Sequence, residues 1–161
     1  MTTPEIRDAL TSDVPRLAEV FRAAREAAMP WLPVLHTSDE DLAFFGRAVE
    51  TQKGYVAVLD GSVVGFAVVD DGEAMLEHLY LDPQVHRRGI GRALLDHARA
   101  AHRGPLELWC FADNGTGRAF YAACGAAELY ETDGSGNEEW TPDVRLELPA
   151  WGAGPGEREA Q

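Results

Sequence analysis

The chain has 161 residues, 45% hydrophobic and 25% charged, which fits one globular domain able to bury a core. Its formal charge of −13 argues against nucleic acid or an anionic membrane as partner, since both call for a basic face, and permits a cationic or amine substrate. No apolar run reaches the roughly 18 residues of a membrane span and the first residues lack a basic-then-apolar leader, so a cytoplasmic protein is expected.

In chain order, Glu5–Ala9 reads as a short first strand. Ser12 and Asp13 can cap a helix that admits Pro15 in its first turn and carries Val14, Leu17, Phe21, Ala24 and Ala28 on one face. Residues 29–37 hold two prolines and cannot be a regular helix. Trp31 and His36 in that stretch would suit a pocket, although a packed connector is the favoured reading of those residues. Ser38 with Asp41 resembles a capping box for a second helix bearing Leu42, Phe45 and Val49. Tyr55–Leu59 and Ser62–Val69 flank Asp60-Gly61, a tight hairpin turn, and a second turn at 70–73 leads into the strand Ala74–Leu81. A helix starting near Gly89 places Ile90, Leu94, Ala98 and Ala101 at helical spacing and ends at Gly104-Pro105, with Gly104 as the left-handed cap. Leu106–Phe111 follows a helical crossover, so it should run parallel to the strand ending at Leu81. Asn114 or Thr116 can cap a last helix that Gly125 ends, and Ala127–Thr132 and Val144–Leu148 read as a final strand pair. Residues 1–149 form the expected domain and 150–161 a disordered tail. Cys110 and Cys124 have no metal or redox spacing, so both read as small buried hydrophobes and no metal is expected.

The segment 79–95 concentrates chemistry. A glycine loop there feeds a helix start, whose free N–H groups and positive dipole end attract phosphate. Arg87, Arg88, Arg92, Arg99 and Arg103 are five of the fourteen Lys and Arg residues, and only Asp96 opposes them there. A basic island in an acidic chain points to a small polyanion. A glycine turn beside a solvated Arg face is the plainer reading of those residues alone.

The pattern Leu79-Tyr-Leu-Asp-Pro83, then Arg88-Gly-Ile-Gly-Arg-Ala-Leu-Leu95, resembles the acetyl-CoA-binding segment of the GNAT superfamily of N-acyltransferases. His86 stands where that family has Gln or Arg, while Gly89 and Gly91 match. Asn114 with Arg118-Ala-Phe-Tyr-Ala-Ala-Cys-Gly125 resembles the family's second segment, although Ala126 replaces its usual Phe. The resemblance implies a mixed, mostly antiparallel α/β sheet of about seven strands and four helices, split between two splayed parallel strands. It also implies acetyl-CoA as cosubstrate, held through Leu79, Tyr80, Leu81, His86, Arg87, Arg88, Gly89, Ile90, Gly91, Arg92 and Asn114.

Acyl transfer needs a neutral amine, although a primary amine has a pKa of about 10.4. It also needs donors to the acyl oxygen and a proton for the departing thiolate. By resemblance, the backbone of Leu79–Leu81 meets the carbonyl, Tyr121 is the acid and Glu77 the base. His78, on the opposite face of a regular strand, is the competing base. Trp31, His36, Asn137, Glu138 and Glu139 are candidates for the acceptor side. The acceptor is expected to be a small-molecule or peptide amine, and a homodimer is compatible with the family. The alternatives are an acyl-CoA-binding module without turnover, or a nucleotide-binding protein using the same loop. No P-loop lysine, His-Glu-x-x-His or Gly-x-Ser-x-Gly motif competes with these readings.

Overall fold

A computed structural model describes residues 3–85 and 88–152. Its strands are β1 (Glu5–Asp8), β2 (Lys53–Leu59), β3 (Ser62–Asp70), β4 (Met75–Leu81), β5 (Leu106–Phe111), β6 (Ala127–Thr132) and β7 (Asp143–Leu148). The helices are α1 (Val14–Ala28), α2 (Ser38–Thr51), α3 (Ile90–His102) and α4 (Gly115–Ala123). The sheet runs β1-β2-β3-β4-β5-β7-β6, with every neighbouring pair antiparallel except β4 and β5. The expected α/β architecture is therefore present, and β7 inserts between β5 and β6. Among the described residues, no helix is long and apolar enough to cross a membrane.

Two cores sandwich the sheet. One face carries Ala57, Ala67, Leu76, Leu108, Cys110, Val144 and Leu146 against Ile90, Leu94, Leu95 and Ala98 of α3. The other carries Val56, Phe66 and Val68 against Leu17 and Val20 of α1 and Phe45 and Ala48 of α2. Phe45 is fully buried, with ring centroids 5.1 Å from Phe21, 5.4 Å from Phe66 and 5.2 Å from His78. Phe45→Ala should therefore cost about 3–5 kcal/mol of unfolding free energy, read from urea titration. A loss under about 1 kcal/mol would show that this site collapses around the cavity.

Three local expectations shift. The cap of α2 is Thr37, which accepts from Glu40 N–H, while the Glu40 carboxylate accepts from Thr37 N–H. The box thus lies one residue before the expected Ser38 and Asp41. Asp41 instead binds Arg22 at 2.5 Å. At the end of α3 the positive φ belongs to Arg103 (75°), not Gly104, and Ala101 is exposed where Leu95 is buried. Trp151 N–H donates to the Arg103 carbonyl, and Arg99 stacks over the Trp151 ring at 5.2 Å. The chain is therefore held past Ala150, where the tail was expected to begin, and residues 153–161 lie outside the described residues. Asp60 and Gly61 both take positive φ, as the hairpin turn demands.

Strand β4 carries the irregularity that shapes the site. His78 pairs with Val68, but Leu76 pairs with Val69, so Glu77 is an extra residue without an opposite number. The bulge resets the alternation. Leu79 and Leu81 face the α3 core, and so does Leu76, three residues before Leu79. Beyond the bulge β4 also leaves β5. The two share one paired position, Met75 with Glu107, near their starts.

Candidate active site

Three adjoining cavities follow from that divergence. The first, about 430 Å³, runs from Leu79, Tyr80 and Leu81 to Gly89, Ile90, Gly91 and Arg92, and reaches Asn114, Thr116, Gly117, Phe120 and Tyr121. The second, about 100 Å³, fills the gap itself between Glu77–Tyr80 and Leu108–Phe111, again touching Tyr121. The third, about 450 Å³, opens on the other side and is bordered by Glu77, His78, Tyr80, residues of α1 and α2, Glu138 and Glu139.

Two helix starts face the first cavity. Gly89 caps α3 with φ 75°, a left-handed conformation that glycine adopts without strain. Among the described residues, nothing stands within 4 Å of the place a Cβ would occupy there, which leaves space for a guest. Gly91 serves packing instead, because a Cβ would sit 3.2 Å from Leu81 and 3.6 Å from the Phe120 ring. Asn114 caps α4 by accepting from Gly117 N–H at 3.0 Å. Free N–H groups and two positive dipole ends thus line one wall, and this wall fits a diphosphate. Arg92 is exposed beside it, 3.5 Å from Asp96. Arg88 is exposed and does not border the cavity. Arg99 is buried and donates to the carbonyls of Cys124 and Pro149, so its role is structural. His86 and Arg87 lie outside the described residues.

Backbone donors point into the gap. Asp82 N–H donates to Val64 C=O on β3. Antiparallel alternation then turns Tyr80 and His78 N–H toward β3, and Leu79 and Leu81 N–H toward β5, where the ladder is absent. Tyr121 borders both the first cavity and the gap. Burial, then the neighbouring Cys110 and Tyr80, push its hydroxyl far above the ordinary tyrosine range, so it stays protonated. Cys110, also in the gap, is pushed up to about 11 by burial and is a thiol at neutral pH.

Glu77 and His78 border the same cavities, because the bulge breaks the alternation that would have set them on opposite faces. They differ in chemistry. Desolvation, then the charge of Asp70, push Glu77 up from the ordinary carboxylate value. His78 lies against the rings of Phe44 (5.4 Å), Phe45 (5.2 Å) and Tyr80 (6.0 Å), and burial and then Arg25 push it down to about 4. Gaining a proton would bring charge into an aromatic wall beside a guanidinium, whereas Glu77 loses charge by gaining one. Of the two, Glu77 takes up a proton more readily.

On the acceptor side, the structure ties several candidate residues to one another. His36 bridges Glu138 (2.9 Å) and Glu40 (3.5 Å), and these carboxylates raise its pKa. Glu139 pairs with Arg25 at 3.2 Å, and Arg25 stacks over Phe21 at 5.0 Å. The loop after α1 and the loop after β6 are thereby joined over the third cavity. Asn137 is spent inside its own loop, donating to Thr141 C=O and Asp143 and accepting from Thr141 N–H. Trp31 stacks edge-on against Phe111 at 6.4 Å and borders none of the three cavities. Sequence reasoning missed Arg25, Phe44 and Arg47. The recurrence of Glu40, Ala43, Phe44 and Arg47 along one stripe of α2 was the available signal. Among the described residues, no group of three or more His, Cys, Asp or Glu side chains is placed to hold a metal ion.

The Acetyltransferase (GNAT) domain family model matches residues 50–125, which include both segments singled out in the sequence. A mycothiol acetyltransferase of Clavibacter sepedonicus is 38% identical over an alignment of 96 residues that covers 56% of this chain. The chain spans about a third of that relative's length, 32%. A [ribosomal protein bS18]-alanine N-acetyltransferase of Salmonella typhimurium is 30% identical over 124 residues, covering 73% of this chain and 77% of the relative. In fold, the PaiA N-acetyltransferase of Thermoplasma acidophilum, solved in complex with coenzyme A, superposes with a TM-score of 0.77 at 20% identity, over 92% of this chain and 99% of that one.

Proposed function

Because the chain belongs to the GNAT acetyltransferase family, we propose that it moves an acetyl group from acetyl-CoA to a primary amine of a small molecule or peptide by direct attack. The observation that carries this reading is the continuity of the cleft. The amide-lined cavity and the acceptor-side cavity meet at one gap, bordered by Tyr121 from one side and Glu77 from the other.

In this reading the first-turn amides of α3, from Gly89 to Arg92, hold the diphosphate, and the dipole of α4 adds to the field at Asn114. The N–H groups of Leu79 and Leu81 donate to the acyl oxygen as charge gathers on it. Glu77 takes a proton from the arriving ammonium group, directly or through water, so that a neutral amine attacks. Tyr121 gives its hydroxyl proton to the departing sulfur.

A thiol-release assay with acetyl-CoA over polyamines, amino acids, aminoglycosides and peptide N-termini tests the reading. Binding of acetyl-CoA without CoA release across that panel would leave a binding module. For Glu77 the pH profile decides. A base acts deprotonated, so kcat/KM should rise with pH through a pKa above the ordinary carboxylate value. Glu77→Gln should remove that limb and lower kcat roughly 100-fold at neutral pH. An unaltered profile would exclude Glu77 as the base.

A further inference from the structure

Most charged side chains around the acceptor-side cavity are engaged with one another. Arg25 holds Glu139, Arg22 holds Asp41, and His36 lies between Glu138 and Glu40. Two remain. Among the described residues, neither Glu77 on β4 nor Arg47 on α2 makes a side-chain ion pair or hydrogen bond, and both border the cavity. Only the Arg47 backbone is used, its carbonyl accepting from Thr51 Oγ1.

Their placement is favourable. Phe44 touches His78, with ring centroids 5.4 Å apart, next to Glu77. Arg47 lies three residues along the same stripe of α2, a rise of roughly 4.5 Å. The cavity is therefore lined by one carboxylate where the amine must react and by one guanidinium on the turn of α2 that follows Phe44. Phe21, Phe44 and Tyr80 form the apolar wall between the elements. Of the other carboxylates, Asp41 and Glu139 face Arg22 and Arg25, while Glu138 and Glu40 share one His36 whose charged form they favour.

We propose that the acceptor carries a carboxylate beside its amine, as an apolar α-amino acid does, and that Arg47 is the residue that selects it. This rests on the acetyltransferase reading above and narrows its substrate class. A guanidinium matches a carboxylate through two parallel N–H donors, and among the described residues that of Arg47 has no side-chain partner competing for them. A plain amine leaves Arg47 without that partner, and a diamine sets a second cation against it.

The test is calorimetry on the full chain saturated with CoA, comparing leucine with isoamylamine and phenylalanine with phenethylamine. Each amino acid should bind about tenfold or more tighter than its decarboxylated partner. Arg47→Gln should erase that ratio, Arg47→Lys should restore part of it, and Arg47→Glu should favour diamines. With acetyl-CoA, the discrimination should appear in KM for the acceptor rather than in kcat. Equal binding within each pair, no binding of either amino acid, or an equal loss for both members in Arg47→Gln overturns the proposal. The two readings fail separately. If acetyl-CoA binds and no acceptor releases thiol, the catalytic reading falls while the calorimetric ratio still decides Arg47. If thiol is released without the ratio, Arg47 alone is withdrawn.

Discussion

Replacing Gly89 with valine is expected to weaken acetyl-CoA binding at least about 100-fold by calorimetry, with only a modest loss of thermal stability. Gly89 has φ 75°, where a β-branched residue is strained by about 1–3 kcal/mol. The described residues leave room, since none has an atom within 4 Å of the new Cβ. The damage therefore falls on the direction of the amides that follow and on the space a diphosphate would fill. Gly125 supplies the control. It too has positive φ (93°) and, among the described residues, no atom within 4 Å of a Cβ, yet it lies after α4 and does not border the cavity. Gly125→Val should cost similar stability and leave acetyl-CoA affinity within about twofold. Equal affinity in the Gly89 and Gly125 variants would show that the start of α3 does not hold the diphosphate.

Tyr121→Phe is expected to lower kcat about 100-fold while leaving acetyl-CoA affinity nearly unchanged. The ring packs against Phe120 at 5.2 Å, and phenylalanine keeps that contact. Only the hydroxyl is lost, at the meeting point of the first cavity and the gap. Burial holds it protonated throughout the physiological range, so it has a proton to give at any working pH. The deficit should accordingly be constant from pH 6 to pH 9, unlike that of Glu77→Gln, which should vary with pH. Acyl donors with more acidic thiols need the proton less and should lose less in Tyr121→Phe. A uniform loss across such donors, or no loss in kcat, would remove Tyr121 as the proton donor.

The two variants probe opposite kinds of information. Gly89, Gly91 and the Asp60-Gly61 turn were readable because backbone conformation is set by a residue and its immediate neighbours. The helical spacing of Ile90, Leu94 and Ala98 likewise declared the buried face of α3. The resemblance carried by 79–95 and 114–125 led to a family whose model spans both segments. Even local signals slipped where two residues could serve. Thr37 rather than Ser38 caps α2, and Arg103 rather than Gly104 takes the left-handed turn.

Sequence alone thus determined the strands, the helices and the glycine loop, because each depends on residues within about one helical turn or one hairpin. Tertiary structure decided what those elements meet. The bulge at Glu77 exists only relative to the register of β3, and it is the bulge that brings Glu77 and His78 to the same cavities and turns Leu76 to the α3 core. Folding also used His36, Glu138 and Glu139 to tie the rim together, kept Asn137 on Thr141 and Asp143, and left Arg47 without a side-chain partner among the described residues. A charge in a sequence has no assigned counter-charge. Which ones are neutralised, and which stay available to a substrate, depends on surfaces joined across a hundred residues of chain, as Arg25 and Glu139 are.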